Sequence, residues 1–199
     1  MVKIPRIIFV YSKIYDSNYR NSLIIKSFLE KNNRKYPSEK KIINYLFKIK
    51  SIWSIHEERI LKEISEILGL EWKEKEIKCY IIGCGRPFSD PLTIGLYENK
   101  NTFIDILTHE LIHQIQGQNK DKLIKWWVHV NKKYNNETQT TKSHILLFSI
   151  QWSIILKFFN KRRLKSQIKN SPNLEYKRAW KIVEDEGYNN IINRFREII

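Results

Sequence analysis

Residues 102–116 read TFIDILTHELIHQIQ, and apolar side chains recur along them at helical spacing. Phe103, Ile104, Leu107, Leu111 and Ile115 share one arc, which predicts an amphipathic helix. Thr102 followed three residues later by Asp105 resembles a capping box, and Gly117 is a natural stop. The neighbouring arc carries His109, Glu110 and His113. Positions i and i+4 lie on one helix face, so the two imidazoles can address a common point. Glu110 is offset by one residue and cannot join them as an equivalent ligand.

That arrangement, HELIH, fits the HExxH pattern of zinc-dependent hydrolysis. Zn²⁺ bound by the two histidines would bring the pKa of a water down toward about 7, and an adjacent carboxylate would accept its proton. The alternative is ordinary helix composition with two satisfied core histidines. The chain holds only five histidines, so an accidental match is improbable at roughly one in a hundred for average composition.

Catalytic zinc commonly takes three protein ligands and leaves a fourth position open. Three residues are candidates for the third place. His144 stands near the start of the apolar run ILLF, where a histidine needs a partner for its ring nitrogens; otherwise it is a core histidine bonded to a backbone carbonyl. Glu137, in NNETQTT, precedes a helix on which Thr141 and His144 would share its face; otherwise it is a solvated helix-entry glutamate. His129, in WWVHV, is the third, against an ordinary interfacial helix position. His129 and Tyr134 are also candidate donors to a developing oxyanion.

Outward from this helix, residues 4–10 read as a short strand. Residues 20–32 and 38–69 read as helical, the second starting at Pro37-Ser38-Glu39 and broken near Ser51. EIKCYIIGCG (76–85) and LTIGLY (92–97) read as strands around a turn-rich loop. The free edge of the second could bind an extended peptide by strand addition, with Gly95 allowing close backbone approach. Residues 121–134 and 140–159 are further helices, the latter apolar all round and therefore buried. Residues 171–199 form two helices separated near Gly187, and the stretch 157–169 concentrates basic residues.

The 199 residues, 42% hydrophobic and 13% aromatic, suffice for a sizeable core and argue against disorder. Cys79 and Cys84 are expected as free thiols, because neighbours on one strand do not bridge well. The opening MVKIPRIIFVYSKIY has too short an apolar run for a signal peptide. ILLFSIQWSIIL (145–156) is too short to cross a bilayer. The net charge of +15 is spread along the chain; it implies attraction to acidic partners and nucleic acid at low salt.

LTHELIHQ, preceded by a short sheet and followed by TTKSHILLFSI, resembles the minigluzincins, small archaeal and bacterial zincin-type proteins. The resemblance covers roughly residues 76–160. It implies an α+β fold, mostly helical, with a small β-sheet packed beside the HExxH helix. It also implies zinc as cofactor, His109 and His113 as ligands, and Glu110 as general base and acid. Gluzincins proper use glutamate as third ligand, which here would be Glu137. The metzincin pattern is absent, since Gln116 and Asn119 occupy its glycine and histidine positions.

The expected organisation is a helical region over 1–75, a zincin-like core over 76–160 and a helical segment over 161–199 packing on the core. Such terminal segments keep several of these relatives latent. The expected function is a cytoplasmic zinc metallopeptidase acting on a peptide or protein substrate, with no membrane partner. Two alternatives stand beside it: a nucleic-acid-associated protease resembling the SprT-like enzymes, using His129, and a catalytically silent zinc-stabilised binding module.

Overall fold

The computed structural model describes residues 3–199; Met1 and Val2, the first residues of the opening whose apolar run is too short for a signal peptide, lie outside them. In chain order the elements are β1 (Arg6–Val10), α1 (Lys13–Asn21), α2 (Leu23–Lys31), α3 (Glu39–Ser54), α4 (Glu57–Leu68), β2 (Glu76–Ile82), β3 (Phe88–Ser89), β4 (Leu92–Gly95), α5 (Lys100–Gln118), α6 (Ile124–Lys133), α7 (Gln139–Phe158), α8 (Lys161–Lys169), α9 (Leu174–Glu186) and α10 (Tyr188–Ile198). The fold is mostly helical α+β with one small mixed sheet, as the sequence implies. The chain divides into two compact units, one of residues 3–61 and 72–114, the other of residues 62–71 and 115–199.

The first unit holds the sheet, in the order β1-β2-β4-β3. β1 and β4 run parallel to β2, while β3 pairs antiparallel with β4 through Phe88↔Thr93 and Ser89↔Leu92. Along β2 the alternation works as pleat geometry requires: Ile77, Cys79 and Ile81 are buried, and Glu76 and Lys78 are exposed. α3 lies against β1 and β2. Phe103 on α5 is fully buried, with Phe9 of β1 at 6.0 Å and Tyr45 of α3 at 6.2 Å between ring centroids. These aromatic contacts place the start of α5 beside the sheet.

α7 is the central helix of the second unit, packed by α8, α9 and α10. Its apolar run is buried from Ile145 through Ile155 except for two half-buried residues, Trp152 and Ser153, as the sequence pattern anticipates. Phe148 stacks on Trp180 of α9 at 4.1 Å with only 5° between the planes. Thr138 caps α7 by accepting from the Thr141 N–H, and Asn173 caps α9 through Tyr176. Gly187 separates α9 from α10 at φ +82°, a backbone geometry that disfavours any side chain.

Several local expectations need correction. Residues 13–31 form two helices interrupted at Ser22, and the break after α3 falls at Ile55-His56 instead of near Ser51. α5 begins at Lys100, and Asn99 supplies the cap by accepting the Asn101 N–H at 2.8 Å, so Thr102 lies inside the helix. Gly117 does not stop α5, which runs on to Gln118. Cys84 lies beyond the end of β2 and is half-buried; both cysteines are free. The basic stretch near residue 160 folds as a helix of its own, α8. The outer edge of β4 is not free, because β3 covers Leu92 and Thr93. At Gly95 the close approach comes from the chain itself: an added Cβ would stand 3.2 Å from the Gly85 carbonyl oxygen.

Among the described residues, no helix is long and apolar enough to cross a membrane.

Candidate metal centre

The HELIH helix is buried more completely than an amphipathic surface helix. No side chain from Phe103 to Gln116 is exposed, and Leu107, Leu111, Ile112 and Ile115 have no accessible surface. Ile112 and Thr108, which lie outside the predicted apolar arc, are buried too; the Thr108 hydroxyl donates to the Ile104 carbonyl at 2.8 Å. Carrying two imidazoles and a carboxyl through such a helix costs free energy unless the polar groups are used.

His109 and Glu110 are buried and His113 half-buried. The two imidazoles sit edge to face, with ring centroids 5.0 Å apart, as the four-residue spacing requires. Burial pushes the Glu110 carboxyl up to about 7. An acid with its midpoint near neutrality is suited to taking and returning a proton. Around it the unit is apolar and hydroxyl-bearing: burial also pushes up the Cys79 thiol, and it pushes the Tyr97 phenol up to about 12. The Tyr97 backbone N–H donates to the Tyr45 hydroxyl at 3.1 Å. Gln114 donates through Nε2 to the Ser89 carbonyl, tying α5 to β3.

His144 lies on the second turn of α7, buried. Its Nδ1 stands 2.7 Å from the Thr140 carbonyl, which only accepts, so Nδ1 carries the proton and Nε2 the lone pair. That tautomer is the one a metal-ligating histidine adopts when a backbone carbonyl orients it. The ring rests on Tyr176 of α9 at 4.2 Å and on Phe148 at 5.3 Å. Burial lowers its basicity, favouring the neutral form.

Of the other two candidates, Glu137 is paired elsewhere, and His129 stands apart from the histidine group with its buried Nε2 making no hydrogen bond. Glu137 accepts from Arg178 of α9, at 2.8 Å from Nε and 2.7 Å from Nη2. His129 stacks on Trp126 at 5.6 Å within α6. The Tyr134 hydroxyl, a candidate oxyanion donor, gives its proton to Glu186 at 2.8 Å.

Among the described residues, His109, His113 and His144 form a group that could hold a metal ion: one ring nitrogen from each lies within 4.8 Å of the others. Zinc–nitrogen bonds of about 2.0–2.1 Å place tetrahedral donors roughly 3.4 Å apart, so the three nitrogens would have to draw closer to hold an ion. Three imidazoles with a carboxyl beside them match a divalent zinc ion in donor type and number.

No protein-family model, curated protein or solved structure matches the chain.

Proposed function

We propose that the chain is a zinc-dependent metallopeptidase of the HExxH type, similar in plan to the minigluzincins, with His109, His113 and His144 as ligands and Glu110 as general base. The observation that supports this most is the convergence of the three histidine nitrogens within 4.8 Å, two of them supplied by the motif itself. The tautomer of His144, enforced by the Thr140 carbonyl, is a second and independent support.

Zinc held by these residues would acidify a water molecule and polarise a peptide carbonyl. The rest falls to Glu110. Its buried carboxyl can accept a proton near neutral pH and return it to the departing nitrogen, which is general base followed by general acid catalysis. The substrate is a peptide or protein, and a cytoplasmic location belongs to the same reading. The nucleic-acid-associated variant would take its third ligand from His129, which stacks on Trp126; the histidine group favours His144.

The test pairs metal content with turnover. Wild type and Glu110→Gln should each retain zinc, while only wild type cleaves an unfolded protein such as casein or a mixed quenched-peptide library. Zinc in both proteins with no cleavage by either would instead support a zinc-stabilised binding module.

A further inference from the structure

The first unit exposes apolar side chains where a solvated helix would carry charge. Ile14 is 82% exposed, Leu23 81% and Ile24 80%, with Phe28 at 47%. Leu23, Ile24 and Phe28 belong to the nine-residue α2, LIIKSFLEK, and its buried residue Leu29 anchors the other side. Ile24 and Phe28 are four residues apart and Leu23 is one position before, so the three occupy the outward half of the helix. α1, which carries Ile14, packs against α2.

The same region is strongly basic. Residues 11–50 hold ten lysines and arginines against three acids, a net +7. Of those acids, Asp16 is buried beside Arg20, Glu39 forms an exposed pair with Lys13 at 3.6 Å, and Glu30 is the one exposed acid on α2 itself. Lys26 and Lys31 on α2, and Arg34 and Lys35 just beyond it, are all exposed.

Charge and apolarity together select the occupant. A second copy of the chain would bring equal positive charge to the same face and be repelled. A nucleic acid would satisfy the lysines but give Leu23 and Ile24 nothing to bury against. An anionic bilayer satisfies both, because apolar side chains enter the headgroup–acyl boundary while flanking lysines meet lipid phosphates. At nine residues α2 is about 14 Å long at 1.5 Å per residue, so it would lie in the interface and not cross it.

We infer that α1 and α2 form a peripheral docking surface for anionic membranes, with Leu23, Ile24 and Phe28 as the inserting side chains and Lys26 and Lys31 as the headgroup contacts. This departs from the expectation of no membrane partner, and it does not depend on the metal centre.

The experiment is co-sedimentation of the full chain with phosphatidylcholine vesicles, with and without phosphatidylserine, over a salt series. Wild type should bind the phosphatidylserine vesicles, and binding should fall as salt rises. Leu23→Gln with Ile24→Gln should weaken partitioning roughly tenfold with no change in thermal midpoint, since both side chains project into solvent. Lys26→Gln with Lys31→Gln should weaken it as well. Wild-type binding by the apolar double variant would overturn the proposal, leaving only diffuse electrostatics. So would binding to duplex DNA but to no vesicle, or a dimer that the apolar double variant dissociates in a protein without vesicle affinity.

Discussion

Replacing Asp16 should unfold the first unit far more easily than its position on a short surface helix suggests. The side chain is 1% exposed. Its Oδ1 accepts the Gly83 N–H at 2.8 Å and the Tyr36 hydroxyl at 2.5 Å, and its Oδ2 accepts from Arg20 at 3.2 Å. One carboxylate therefore joins α1, the segment before α3 and the exit from β2. Arg20 is partly exposed and its bond is screened, so it contributes at most about 1 kcal/mol. The buried Gly83 bond and the part-buried Tyr36 bond to the carboxylate contribute roughly 1.5–3 kcal/mol each. Gly83 keeps a fallback, because the Tyr36 oxygen stands 3.2 Å from the same N–H. Asp16→Ala should then cost about 3–5 kcal/mol, and Tyr36→Phe about 1–2 kcal/mol. The two losses should fall short of additive in the double variant, since the residues share a network. Gly83→Ala should break the same joint from the other side, because an added Cβ would lie 2.3 Å from the Tyr36 ring. The assay is urea unfolding together with hydrogen exchange at the Gly83 amide. An Asp16→Ala loss below about 1 kcal/mol, with Gly83 still protected, would refute the reasoning.

Three further outcomes are expected. Glu110→Gln should leave zinc content unchanged and reduce peptide hydrolysis by about 10²–10⁴-fold, the usual contribution of a general base, as measured by initial rates at matched zinc loading. Phe148→Ala should cost about 3–5 kcal/mol by leaving a cavity against Trp180, read from denaturant midpoints and loss of near-ultraviolet dichroism. Glu186 is raised by burial but lowered more by its bonds to Arg194, Lys133 and Tyr134, so its folded value lies below the ordinary carboxylate range. Its contribution is therefore present above the unfolded value of about 4.3 and lost as pH falls through the lowered folded value. Wild type should lose stability relative to Glu186→Gln on acidification through that window, which thermal midpoints from neutral pH to below the carboxylate range will check.

The parts of the fold that the sequence revealed share one property: their signal is local. HELIH on apolar spacing, Pro37-Ser38-Glu39 and Gly187 each mark an element through neighbouring residues, and each element is found close to where it was expected. Ser38 does cap α3, accepting the Lys41 N–H at 3.3 Å. What was missed depends on partners distant in sequence. β3 is two residues long and exists through its pairing to β4, so no periodicity could announce it. Asp16 carries no local signal of its role, because its partners Tyr36 and Gly83 lie 20 and 67 residues away. The burial of Thr108 and Ile112 is likewise a property of the packed chain and not of one helical arc. In the site, His109, Glu110 and His113 were readable because helix geometry alone brings them together. For the candidate third ligand the sequence favoured His144 over Glu137 and His129, but these stand 31, 24 and 16 residues past His113 and no local pattern decides among them. The Arg178–Glu137 pair and the Thr140–His144 bond separate these candidates only in three dimensions.

The most direct measurement is the zinc content of purified, folded wild type beside His109→Ala, His144→Ala, Glu137→Ala and His129→Ala. About one zinc per chain is expected in wild type, Glu137→Ala and His129→Ala, with loss in His109→Ala and His144→Ala. A folded wild type without zinc would contradict the metal centre outright. Retention in His144→Ala with loss in Glu137→Ala or His129→Ala would contradict its third ligand.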